Sequence, residues 1–174
     1  MSRRKLEDAA GKVCKVLIPI NDKCYKGQGK SIAICTLGSM ELLFEISKSK
    51  DIMDRILIAG RLLSENKGID AIIRFTIKNP ELNYLILCGK EVRGHNAGQA
   101  ILALHQNGVN NKGIIIRAIG PSPFLNSSKK EIELFRKQVI TFDLIGIDNI
   151  QEIKTSLNSM TKGDPTFSKF NYNK

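Results

Sequence analysis

The sequence predicts one doubly wound α/β domain over residues 31 to about 158, with a parallel sheet of about five strands and helices on both faces. Three observations carry this reading. Short apolar runs rich in β-branched residues recur without polar alternation, the pattern of strands buried on both sides. Helix-patterned segments lie between them, so a βα order repeats five times along the chain. Breakers also fall where helices must stop, at Asn79-Pro80 and at Asn107-Gly108, where the glycine suits a left-handed cap.

The elements follow in order. Ser31–Thr36 is the first predicted strand, and Ser39–Ser47, with Leu42, Leu43 and Ile46 at helical spacing, is the helix after it. Arg55–Ala59 and then Ser64–Ile77 form the second unit, closed by Asn79-Pro80. Tyr84–Cys88 leads through a Gly-rich and polar loop to a helix over Gly94–Asn107. Ile114–Ala118 is the fourth predicted strand, with Lys129–Val139 as its helix, and Thr141–Ile145 with Asn149–Ser159 completes the set. Residues 1–24 read as a basic N-terminal segment, 25–160 as the domain and 161–174 as a loosely attached tail.

Composition narrows the function classes. The longest apolar stretches, such as Tyr84–Cys88, are far shorter than the roughly 20 residues a membrane helix needs. The basic start Met1-Ser2-Arg3-Arg4-Lys5 is followed by charges rather than an apolar signal region, so a soluble cytoplasmic protein is expected. Cys14, Cys24, Cys35 and Cys88 have no metal-site spacing and read as reduced thiols, the last two as small core hydrophobes. Half of the net charge of +10 lies in residues 1–30, with eight Lys/Arg against three Asp/Glu. The domain itself interleaves both signs and lacks Trp, so no nucleic-acid partner is expected.

Function should gather at one edge of the sheet. With strand order 2-1-3-4-5 the winding reverses between the first and third strands, and ligands of such sheets sit beyond the carboxyl ends of the strands at the reversal. That places Thr36-Leu37-Gly38-Ser39 and Gly89-Lys90-Glu91-Val92-Arg93-Gly94-His95 around one crevice, with the site centred on Gly89 to His95. His95 is one of two histidines, and small residues at Gly94, Ala97 and Gly98 leave space for a large planar group beside its ring. The bland alternative is that His95 merely caps the helix. His105, near the end of that helix, suits the helix dipole or solvent. Gly27-Gln28-Gly29-Lys30-Ser31 precedes the first strand, the wrong context for a phosphate loop, and reads as a flexible turn. No dinucleotide fingerprint follows the first strand, and nothing in the sequence brings Ser39, His95 and Asp143 together as a triad.

Four strings extend this picture: Ala33-Ile34-Cys35-Thr36-Leu37-Gly38-Ser39, Ser64-Glu65-Asn66-Lys67-Gly68-Ile69-Asp70, the segment Leu87 to Gln99, and Asp143-Leu144-Ile145. In order, from about Tyr25 to about Ile153, they resemble the A-subunit family of tetrahydromethanopterin S-methyltransferase. Gly94-His95 and Gly98-Gln99, following a strand, form the most specific part. The resemblance implies a Rossmann-like fold, an archaeal methanogen-type context and a bound corrinoid, a cobalamin such as 5-hydroxybenzimidazolylcobamide. It implies His95 as the ligand to cobalt from the lower axial side, the cofactor performing the hard chemistry. Thr36, Leu37, Gly38, Ser39, Ser64, Glu65, Asn66, Gly89, Gly94, Gly98 and Gln99 are implied to line the corrin or its polar tail. An acceptor should orient the other ring nitrogen of His95, with Glu91 and Asn96 both open. The implied reaction passes a methyl group from methyltetrahydromethanopterin through cobalt to the thiolate of coenzyme M, with other methyltransferase subunits as partners.

The chain departs from the family pattern as well. Met40 stands where the family often has histidine, and Ala97 where it usually has threonine. Family members of the membrane complex end in a transmembrane helix, whereas this chain ends in Asp164 to Lys174, so no membrane anchor and no sodium pumping are expected. The expectation is a free corrinoid carrier in methyl transfer, its donor and acceptor open. The alternatives are a cobalamin sensor or storage module without catalytic partners, and another small-molecule-binding protein on the same fold.

Overall fold

The computed structural model describes residues 24–161. Most of the expected basic segment, including Cys14, and nearly all of the expected tail lie outside the described residues. Five strands form one sheet: β1 Tyr25–Lys26, β2 Ile32–Cys35, β3 Ile58–Gly60, β4 Tyr84–Gly89 and β5 Ile140–Ile145. The helices are α1 Met40–Lys48, α2 Lys50–Met53, α3 Lys67–Lys78, α4 Ala97–Asn107, α5 Lys129–Gln138 and α6 Ile150–Thr161. Strand order is β1-β3-β2-β4-β5, with β1 antiparallel and the other pairs parallel. This is the expected Rossmann-like class.

Side chains along a strand alternate between faces, and here both faces are covered. Ala33, Cys35, Leu85 and Leu87 point into a core built with α3, α4 and α5. Ile32, Ile34, Ile86 and Cys88 point the other way, against α1, α2 and α6. The uninterrupted apolar runs of β2 and β4 follow from this double burial. Burial pushes the Cys35 thiol up to about 12 and raises that of Cys88 as well, which fits both as inert core residues.

Two expectations about the sheet fail. Ile114–Ala118 is not a strand of the sheet. It makes only isolated antiparallel bridges, Val109 with Ile115 and Ile114 with Phe124, and positive φ at Gly113 and Arg117 turns the chain at both ends. The place beside β4 is taken by β5, which pairs with it over six residues from Tyr84 with Ile140 to Gly89 with Ile145. Residues 108–128 therefore form an excursion between α4 and α5, anchored by buried Ile115 and Leu125. The second correction concerns the Gly27–Lys30 turn, which is held rather than flexible: amides of Gly27, Gln28 and Gly29 donate to the carbonyls of Leu57, Met53 and Ile56. It extends β1, an edge strand that the apolar pattern did not reveal. The reversal between β2 and β4 stands, because β2 pairs with both β3 and β4.

Smaller differences affect helix ends. The helix expected from Ser64 begins at Lys67, and the one expected from Gly94 begins at Ala97, which leaves Ser64, Glu65, Asn66, Gly94, His95 and Asn96 in the loops ahead of α3 and α4. Gly108 ends α4 at φ 68 but ψ −151, so the cap is positive in φ without being left-handed helical. His105 sits in the last turn of α4 and its Nε2 lies 2.7 Å from the Val139 carbonyl, a tertiary contact rather than exposure to solvent.

Candidate functional site

The loops leaving β2, β3 and β4 gather at the carboxyl edge of the sheet. After β4 the chain turns at Gly89, where φ is 76 and an added Cβ would come within 2.5 Å of the Thr36 carbonyl. Only glycine suits that position. Glu91 then folds back over α4, accepting from the amides of Gly98 at 3.2 Å and Gln99 at 2.9 Å. A carboxylate of the protein thus satisfies the first amides of α4, the place where an anionic ligand would otherwise bind. At α3 the same role falls to Asn66, which accepts from the Lys67 amide, and Ser64, which accepts from the Gly68 amide.

His95 stands just ahead of α4, its amide donating to the Val92 carbonyl. Its Nδ1 is 2.8 Å from Glu65 Oε2. The Glu65 side chain is fully buried while the imidazole is 43% exposed, so the pair spans from interior to surface. Glu65 Oε1 accepts from the Ser122 amide at 2.9 Å, and Gly120 packs directly against the carboxylate. A neutral imidazole that donates from Nδ1 to Glu65 leaves its lone pair on Nε2. Gly94 beside it has φ 82 and no heavy atom within 4 Å of where a Cβ would stand, so there is open space next to the histidine.

The acceptor for His95 is therefore Glu65, neither Glu91 nor Asn96. Glu91 is engaged at the α4 amides, and Asn96 is the residue capping α4 without a side-chain bond to it. Sequence placed Glu65 in the site as a lining residue but not as this partner. It lies thirty positions away, and only the packing of the β3 and β4 loops brings it there.

The other expected residues divide into two groups. Gly38 and Ser39 line a cleft of about 440 Å³ with Met40, Glu41, Arg61, Lys90, Glu91 and Asp148. Arg61 donates to the Leu37 and Gly38 carbonyls, and Ser39 Oγ accepts from the Lys90 amide. Lys90 pairs with Asp148, which raises the ammonium pKa while the lysine lowers that of the carboxyl. Thr36, Leu37, Gly89 and Gly98 are buried and shape the loops from behind. His95, Glu65 and Gln99 do not line this cleft. Gln99 instead holds the 108–128 excursion, its Nε2 donating to the Arg117 carbonyl and its Oε1 accepting from the Ile119 amide. Ser39 and Asp143 are likewise engaged locally and do not meet His95 as a triad.

A family model for the A subunit of tetrahydromethanopterin S-methyltransferase matches residues 20–171. The chain belongs to this family. Its relatives include the tetrahydromethanopterin S-methyltransferase A-subunit 1 of Methanothermobacter thermautotrophicus, 44% identical over 110 residues, which are 62% of this chain and 46% of that protein. The corresponding A subunit of Methanocaldococcus jannaschii is 41% identical over 110 residues, with the same two coverages of 62% and 46%. A-subunit 2 of Methanothermobacter thermautotrophicus is 35% identical over 136 residues, 77% of this chain and 71% of that protein. The match to A-subunit 1 and to the Methanocaldococcus protein spans about half of their length. Among the described residues no helix is long and apolar enough to cross a membrane.

Proposed function

We propose that this chain is a corrinoid-carrying subunit for methyl transfer, in which His95 would hold the cobalt through Nε2. The observation that carries this reading is the buried Glu65 carboxylate 2.8 Å from Nδ1 of the half-exposed imidazole. The donor set fits such a group. Among the described residues no cluster of three or more His, Cys, Asp or Glu could hold a metal ion, and a lone oriented imidazole suits a metal already held by a macrocycle. The open space at Gly94 accepts bulk, and the capped amides of α3 and α4 leave little for the phosphates of a dinucleotide.

When bound, the corrinoid supplies the metal that takes up and releases the methyl group. The protein's own residues set the geometry. Glu65 accepts a hydrogen bond from Nδ1–H, holds the tautomer with Nε2 unprotonated and raises the basicity of that nitrogen. The Ser122 amide fixes the second carboxylate oxygen, so the ring cannot turn without breaking a buried bond. Family membership supports a tetrahydropterin as methyl donor and other methyltransferase subunits as partners, and the proposal extends to the thiolate of coenzyme M as acceptor and the cytoplasm as the compartment.

The test is the visible spectrum of the purified protein after incubation with hydroxocobalamin and gel filtration, for the wild type and His95→Ala. Retention by the wild type, with weaker retention or a water-ligated spectrum in the variant, is the expected result. If neither protein retains the corrinoid, the proposal falls.

A further inference from the structure

The excursion between α4 and α5 has a feature that its own packing does not require. Ile115 and Leu125 already bury its two ends, yet Ile119 between them is 70% exposed. Its position is held firmly. The Ile119 amide donates to Gln99 Oε1 at 3.0 Å, the Arg117 carbonyl accepts from Gln99 Nε2 at 3.0 Å, and the Ser122 amide is fixed to Glu65. Arg117 keeps φ at 65, a conformation that a side-chain-bearing residue adopts rarely and that persists only where surrounding bonds impose it. A strained, clamped turn thus presents an apolar side chain to water, and it is tied through Ser122 to Glu65, the carboxylate that holds His95.

From this arrangement we infer that Ile119 is a ligand contact, the apolar rest against which the macrocycle ligated by His95 is seated. This rests on the corrinoid reading and deepens it. The occupant is a large, flat and largely apolar ring, because a mobile or purely polar ligand gives no reason to hold an isoleucine outward. Gln99, which touches the turn and not the ring, is a positioning residue: it sets where Ile119 stands.

Hydroxocobalamin is the probe, with its dissociation constant from equilibrium dialysis and the visible spectrum of the bound form as readouts. Ile119→Asp should fold as the wild type does, because the side chain is exposed, and should weaken binding roughly tenfold, the loss expected for one partly buried isoleucine. Its bound fraction should keep the spectral signature that depends on His95. Ile119→Leu, which keeps the apolar area, should bind within about twofold of wild type, and Gln99→Ala should fall between the two. Wild-type affinity in Ile119→Asp, or equal weakening in Ile119→Leu, overturns the inference and leaves the role of His95 standing. Absence of binding by the wild type overturns the functional reading and this contact with it.

Discussion

Two buried carboxylates hold the same excursion and do so differently. Asp70, in the first turn of α3, receives four hydrogen bonds from Asn126 and Ser127, each residue supplying its amide and its side chain. Glu65, just ahead of α3, receives one amide, from Ser122, and spends its other oxygen on His95. Donors at Asp70 are permanent, so that site is a structural pin. The imidazole at Glu65 is half-exposed and has a second ring nitrogen, so that site joins the excursion to whatever His95 binds. A pin is recognised by donors that end at the carboxylate, and a functional junction by one that reaches on to the surface.

The comparison can be broken at Asp70 with the largest effect. Asp70→Ala leaves four donors without their acceptor and should cost about 3 kcal/mol of stability, measured by urea denaturation. Corrinoid retention in the folded fraction should persist, and its loss there would contradict the division of roles.

Acid should expose the same pin. Burial alone would raise the Asp70 pKa, but the bonds from Ser127 and Asn126 outweigh it and hold the carboxyl below its ordinary 3.8. The unfolded chain therefore binds the proton first, and the stabilisation is complete above pH about 4 and fades as pH falls through the lower folded value. Relative to Asp70→Asn, the wild type should hold a constant advantage near neutrality that shrinks below about pH 4. A gap that widens in acid would refute the assignment.

Glu65→Gln sharpens the other half. The amide oxygen can keep the Ser122 bond, so stability should fall by only about 1 kcal/mol. Hydroxocobalamin binding should suffer more than stability does, because a neutral amide no longer fixes the His95 tautomer as a carboxylate does. The smallest effect belongs to Gln99→Ala: global stability should change little, while hydrogen exchange of the Ile119 amide should quicken by about tenfold as its acceptor is lost.

Much of this was legible from residue order. Double burial of β2 and β4 is written in their unbroken apolar runs, and Ser128 with Glu131 forms the capping box that starts α5 where the pattern expects a helix. The run Ile114–Ala118 misled because three isoleucines report burial or β propensity without saying what they pair with. Ile115 is indeed buried, but Ile114 and Ile116 flank it in the open. At the site, His95 stood out as a rare residue after a strand, whereas Glu65 gave no local sign of being its partner.

Residue order by itself determined the α/β class, four of the five strands of the sheet, the loop that carries His95 and membership in the A-subunit family. These depend on periodicity, breakers and matched strings, which are properties of neighbours along the chain. Tertiary structure alone decided that β5 takes the place beside β4, that residues 108–128 fold back over the site, and that Glu65 meets His95. Such choices turn on which distant groups can satisfy one another once water is excluded, and a buried carboxylate finds its donors in space rather than in sequence.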